Sequence, residues 1–220
     1  MINTRCATRE DLDQLAAIHA AALPNDLLPR LGLRFLRKYF FPTVFNSASA
    51  YITVGESDER IAGFCIFARD NTALSRSVFG PRLRIGRYYL SAMIRKPLLF
   101  VDLCAYALGY RIDLYDASSG EIEGVPEIFI IATAPGQQSR GVGRRIVEQG
   151  LRELGTERDR CIVRTSSQQA ERFYKKCGFE KIGIEKRGRT AFSLLRLKNN
   201  AEPNDQLHPD HNASRKDSTS

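Results

Sequence analysis

Residues 128–147, IFIIATAPGQQSRGVGRRIV, constrain the fold more than any other stretch of the chain. The run Ile128-Phe129-Ile130-Ile131-Ala132 is continuously apolar and rich in β-branched residues, the pattern of a strand buried on both faces. Pro135 and Gly136 end it, because proline donates nothing to a ladder and glycine frees the backbone. Beyond the turn, Val142, Ile146, Val147, Leu151 and Leu154 recur at helical spacing. The order is therefore strand, glycine-containing turn, helix. The first turn of such a helix carries unpaired N–H groups and the positive end of a dipole, here beside several arginines. That combination suits a phosphate group. The turn is not a dinucleotide fingerprint, since Ile146 stands where the third glycine belongs. It is not a phosphate loop of the Gly-Lys-Ser/Thr kind either, since Gly143 is followed by Arg144 and Arg145.

Charge and cysteine usage narrow the setting. A net charge of +8 over 220 residues points to an anionic partner or to a solvated basic surface. Cys6, Cys65, Cys104, Cys161 and Cys177 are scattered, odd in number and never paired as C-x-x-C. They argue against a disulfide framework or a zinc site and fit a cytoplasmic, reducing setting. No signal peptide is visible at the start. The apolar stretch 98–108 is too short to span a bilayer and carries Asp102. Histidine-dependent catalysis is disfavoured, because His19 alone lies outside the polar tail, and it reads as a helix-surface residue.

The remaining elements fall in order along the chain. Ile2 to Cys6 reads as a short strand, and Thr8 with Asp11 as a helix start. Leu12, Leu15, Ala16 and His19 share one face of a helix that ends before Pro24. A second helix is predicted over Leu28 to Phe41. Tyr51 to Gly55 and Ile61 to Ala68 pair as antiparallel strands across a polar turn. Residues 70–120, basic and aromatic, read as two or three helices broken at Gly86 and Pro97. Cys161 to Thr165 reads as a short strand, and Gln168 to Cys177 as a helix closed by Gly178. Phe179 to Glu185 and Ala191 to Leu197 form a terminal hairpin. Residues 199–220 are polar, poor in aliphatics and expected to be disordered. The expected arrangement is one domain over residues 1–198, with an inserted helical segment at about 70–120.

Two motifs give this order a family likeness. Gln138-Ser139-Arg140-Gly141-Val142-Gly143 fits a Q/R-x-x-G-x-G/A turn. Ala170 to Phe179 fits A-x-x-x-Y-x-x-x-G-F, with Tyr174, Gly178 and Phe179 in register. Together, in this order and with a strand between them, they resemble the GNAT superfamily of acyl-CoA-dependent N-acyltransferases. The motifs cover about 127–182, and the weaker likeness extends over about 2–198. One position departs from the family: Ser167 stands where asparagine is common, three residues before the alanine.

The resemblance implies an α/β (mixed α+β) fold. A central twisted mixed sheet splays into a V-shaped cleft, with helices on both faces. It implies acetyl-CoA as co-substrate, its pantetheine arm pairing with backbone around Ile131, Ala132 and Thr133. The pyrophosphate would rest on amides from Gln138, Ser139, Arg140, Gly141, Val142, Gly143 and Arg144. Arg140, Arg144 or Arg145 would add charge, and Ser167 a hydrogen bond to the arm. The implied reaction is attack of an amine on the thioester, which needs a base for the amine and an acid for the leaving thiolate. Tyr174 is the candidate acid. Glu127, at the start of the central strand, is the candidate base, with Glu121 and Glu123 as alternatives. Regular alternation places Glu127, Phe129, Ile131 and Thr133 on one side.

No motif encodes the acceptor. An amine-bearing small metabolite, such as an amino sugar or nucleotide-linked amino sugar, is the expected partner. Residues 70–120 would form its wall, with Arg82, Arg84 and Arg87 offering charge. A protein or peptide acceptor, or a non-catalytic acyl-CoA-binding module, is the alternative. No metal or membrane partner is expected, and no nucleic-acid partner either, the last because no recognition-helix or RNP-type motif is present. Monomer and homodimer both stay open.

Overall fold

The computed structural model describes residues 2–80, 124–187 and 190–198. Seven strands form one sheet in the order β1-β2-β3-β4-β5-β7-β6. They are β1 (Asn3–Cys6), β2 (Ala50–Ser57), β3 (Arg60–Ala68), β4 (Glu127–Thr133), β5 (Ile162–Thr165), β6 (Phe179–Arg187) and β7 (Thr190–Leu197). Neighbours run antiparallel except β4 and β5, which run parallel. Helices α1 (Leu12–Ala22), α2 (Leu27–Arg30), α3 (Leu33–Phe35), α4 (Phe41–Phe45) and α5 (Asn71–Phe79) precede β4. Helix α6 (Val142–Leu154) joins β4 to β5, and α7 (Gln168–Lys176) joins β5 to β6.

The sheet is covered on both faces. On one, Leu15, Phe35, Leu36, Phe40, Phe41, Leu74 and Val78 pack on Val54, Phe64, Ile66 and Ala132. On the other, Val142, Ile146, Val147, Leu151 and Leu154 of α6 and Tyr174 of α7 pack on Cys65, Phe67, Ile128 and Val163. The apolar stripe of α6 thus holds it to the sheet, each fully buried Val, Leu or Ile contributing roughly 1.5–3 kcal/mol. Thr8 and Asp11 start a 3-10 turn over Arg9–Asp11 that leads directly into α1, the Thr8 N–H donating to Asp11 Oδ2 at 2.7 Å. Among the described residues, no helix is long and apolar enough to cross a membrane.

The structure departs from the sequence pattern at Leu28–Phe41 and at His19. The predicted helix over Leu28 to Phe41 is broken. Gly32, at φ +105°, separates α2 from α3, and Leu36–Phe40 is a π-turn in which the Phe41 N–H donates to the Leu36 carbonyl. Pro42 follows directly, and with no N–H it cannot donate to the carbonyl four residues back. His19, expected at the surface, is 1% exposed among the rings of Phe40, Phe41 and Phe64, each centred 5.9 Å away. Of the expected helices in 70–120, α5 falls within the described residues. The breaks at Gly86 and Pro97, and the tail 199–220, lie outside them.

Candidate active site

Strand β4 leaves its parallel neighbour almost at once. It pairs with β5 at Glu127–Ile162 and Ile128–Val163 only, although both strands continue. On its other edge β4 stays paired with β3 as far as Thr133. The Ala134 N–H donates to the Ala62 carbonyl at 2.8 Å, and this register turns Ile130 and Ala132 toward β3 as well. The backbone groups of Ile131 and Thr133 therefore face the opening. Ala132, grouped with them from sequence, presents its backbone to β3 and its side chain to the core. The result is a wedge between β4 and β5, edged by main-chain donors and acceptors with no partner among the described residues.

A bulge shifts the faces of β4. Ile130 pairs with Ile66 but Ile128 pairs with Phe67, so Phe129 is the extra residue. Phe129, Ile130 and Ala132 pack toward α1–α4, whereas Ile128 and Ile131 pack toward α6 and α7. Regular alternation, which placed Glu127 beside Ile131 and Thr133, is thereby overturned. Glu127 lies on the opposite face, where it meets α5.

At the wide end of the wedge stands the glycine turn. Gly136, Ser139 and Gly141 all have positive φ, at +83°, +63° and +80°. Gly141 caps α6, whose first i to i−4 bond within this turn is from the Arg145 N–H to the Gly141 carbonyl at 3.2 Å. Among the described residues, no acceptor takes the main-chain amides of Gln138 to Arg144. Gln138, Ser139, Arg140 and Gly141 are exposed, while Val142 is buried and anchors the helix start. Arg144 is held by Glu148, its Nε donating to Oε1 at 2.8 Å, and Arg140 Nη1 reaches Gln137 Oε1 at 3.4 Å. A row of open amides at a dipole's positive end is a geometry that suits an anion.

At the narrow end, Tyr174 and Glu127 stand on opposite faces of the sheet. Tyr174 is 4% exposed, edge-on to Phe173 and Phe179. Burial pushes its phenol well above the usual range, and Cys65, Cys177, Cys161 and Glu127 add to the push. It therefore stays protonated through the physiological range. Glu127 is 5% exposed, and two donors converge on one of its oxygens. Arg164 Nη1 reaches Oε2 at 2.5 Å and Asn71 Nδ2 reaches it at 2.6 Å. Arg164 also donates from Nε to Glu185 Oε2 at 2.6 Å. Burial opposes the Arg164 charge, but Glu127 and Glu185 outweigh it and raise its pKa.

Ser167 takes a structural post. Its Oγ accepts from the Ala170 N–H at 3.3 Å and caps α7, while its own N–H donates to Thr165 Oγ1 at 3.1 Å. Its O–H is still available to a ligand. Glu121, Glu123, Arg82, Arg84 and Arg87 lie outside the described residues. Asn71 and Arg164 are the site residues that the sequence did not disclose, and their partner Glu127 is 56 and 37 positions away. Among the described residues, no cluster of three or more His, Cys, Asp or Glu side chains could hold a metal.

Known proteins share the fold of this chain. Residues 103–181 match the model of the acetyltransferase (GNAT) domain. No curated protein matches the chain. Among solved structures, it is similar to a histone acetyltransferase HPA2 and related acetyltransferase from Corynebacterium glutamicum, at TM-score 0.55 and 17% identity over 89% of this chain and 96% of that one. It is also similar to the ribosomal-protein-S18-alanine N-acetyltransferase of Escherichia coli, at TM-score 0.52 and 15% identity over 94% and 99%. A Bacillus anthracis acetyltransferase in complex with acetyl coenzyme A matches at TM-score 0.50 and 13% identity over 90% and 98%. At these identities the likeness is one of fold. The chain thus has the fold of these acetyltransferases, and its sequence likeness to the GNAT acetyltransferase domain spans residues 103–181.

Proposed function

We propose that the protein moves an acetyl group from acetyl-CoA to the primary amine of a small metabolite. One observation carries the reading: β4 parts from β5 beyond Ile128, between a protonated phenol on one face and a buried carboxylate on the other. In this reading the pantetheine arm pairs with the open backbone of Ile131 and Thr133, beside Ala132. The diphosphate rests on the amides from Gln138 to Arg144. Arg140 and Arg145 are exposed at the same turn and add positive charge. Ser167 turns its O–H toward the arm.

The chemistry follows from the proton count. An alkyl amine has a pKa of roughly 10.4, so at neutral pH it arrives as an ammonium ion that cannot attack. It loses two protons on the way to an amide. Glu127 takes the first, freeing the nitrogen lone pair to form the C–N bond at the thioester carbonyl. A main-chain N–H on the open edge of β4 holds the carbonyl oxygen as negative charge gathers there. The C–S bond then breaks, Tyr174 presents its O–H to the sulfur, and the second proton ends on the thiol. The products are the N-acetyl amine, CoA thiol and one proton released to solvent.

The acceptor wall is assigned to residues 70–120, whose arginines and tyrosines suit an anionic amine such as an amino-sugar phosphate. The Corynebacterium and Escherichia neighbours are named for protein substrates, so peptides belong in the test. A thiol-release assay with acetyl-CoA against amino sugars, nucleotide-linked amino sugars, polyamines and peptides tests the reading. Turnover confined to amino sugars is expected. Turnover confined to peptides overturns the small-metabolite part of it, and no turnover with any amine overturns the whole.

A further inference from the structure

The environment of Glu127 is built in more than one layer. Both donors that reach the carboxylate meet at Oε2, and no described residue donates to Oε1. Asn71 is itself fixed: Ser75 Oγ donates to Asn71 Oδ1 at 3.2 Å, so the amide nitrogen has to face Glu127. Ser75 is 4% exposed, and α5 is capped by Asp70, whose Oδ1 accepts from the Ala73 N–H at 2.9 Å. On the other flank Arg164 is pinned between Glu127 and Glu185, with a side chain 12% exposed. A buried guanidinium between two acids is held at both ends and cannot swing away. The carboxylate plane of Glu127 is thus fixed from two directions.

We infer that Asn71 and Arg164 are positioning residues that clamp Oε2 of Glu127 and leave Oε1 as the atom offered to the acceptor's ammonium group. The inference rests on the reading of Glu127 as the base. It makes α5, the element leading into the 81–123 segment, part of the catalytic apparatus. In the clamped state Oε1 takes one N–H proton and the nitrogen lone pair becomes free. The clamp itself gains and loses no proton.

Two acceptors separate positioning from mere stability. One is the alkyl amine turned over fastest in the thiol-release assay. The other is hydroxylamine, which is already unprotonated at neutral pH and needs no base; it yields acetohydroxamate and CoA thiol. Asn71→Ala, Ser75→Ala and Arg164→Gln should each lower kcat for the alkyl amine, by up to about 100-fold for a misplaced base. KM for acetyl-CoA and turnover of hydroxylamine should hold. Arg164→Lys, which keeps the charge, should recover part of the loss. Thermal unfolding identifies any variant that fails to fold, and Asn71→Ala then carries the test. Full alkyl-amine turnover in Asn71→Ala and Arg164→Gln, with Glu127→Gln inactive, overturns the clamp and leaves the base standing. Full turnover in Glu127→Gln overturns the base and the clamp together, while the acetyltransferase assignment survives.

Discussion

Gly143 lies against the ring of Phe173: a methyl group built on its Cα would stand 3.2 Å from both Cε2 and Cζ. The two glycines of the Gln138–Gly143 motif therefore serve different ends. Gly141 is needed for its φ of +80°, and a side chain there would meet none of the described residues within 4 Å. Gly143 is needed for space, because the start of α6 is wedged against α7 one residue before Tyr174. Gly143→Ala should push Phe173, and Tyr174 with it, and so lower kcat severalfold. Gly141→Ala should instead cost about 1 kcal/mol of stability through backbone strain and weaken acetyl-CoA binding. Steady-state kinetics and calorimetry on the two variants separate the roles.

Tyr174→Phe removes one oxygen and leaves the packing on Phe173 and Phe179 intact. Under the proposed mechanism kcat should fall by roughly 10²-fold or more, the usual worth of a positioned acid, with acetyl-CoA affinity unchanged. Unchanged turnover would remove Tyr174 from the chemistry and return it to the core.

His19 predicts a pH dependence of stability. Burial lowers its pKa from 6.5 to about 4. Its Nδ1 has no hydrogen-bond partner among the described residues. As pH falls through about 6.5 the unfolded chain takes up a proton that the folded chain refuses. Stability is therefore fully present above that pH and is lost toward pH 4, by at most roughly 3 kcal/mol. His19→Phe should abolish this part of the loss. Denaturant unfolding at pH 7.5 and 4.5 on both proteins reads the difference directly.

Gly150 brings α6 close against the sheet. A Cβ there would fall 1.9 Å from Phe67 Cε2, and the Gly150 carbonyl accepts from Tyr51 Oη at 2.7 Å. Tyr51 and Phe67 are stacked with centroids 5.2 Å apart, so neither ring yields easily. Gly150→Ala should destabilise the fold by about 1–3 kcal/mol, and Phe67→Leu in the same chain should recover part of that. Thermal unfolding of the single and double variants checks it.

Much of this architecture was legible in local pattern. The stripe of Val142, Ile146, Val147, Leu151 and Leu154 set both ends of α6, and Gly178, at φ +91°, closes α7 as its sequence indicates. The bulge at Phe129 was not legible, because strand alternation carries no mark of an inserted residue, and that one residue put Glu127 on the other face. His19 reads as a surface residue because imidazole is polar, although its spacing from Leu12, Leu15 and Ala16 follows the buried face of α1. Asn71 and Arg164 could not be found, since neither has a neighbour in sequence that announces a bond to Glu127. The break at Gly32 had a local cue in the glycine itself.

The most direct test of the central claim is an amide-resolved NMR titration of the protein with acetyl-CoA. The account predicts that the largest shifts fall on the N–H groups of Ser139 to Gly143 and on those of Ile131 and Thr133. It predicts that adenosine 3′,5′-bisphosphate, which lacks the diphosphate and the pantetheine arm, moves neither set comparably. Saturable binding of acetyl-CoA that leaves both sets unmoved, or no binding at millimolar concentration, would contradict it.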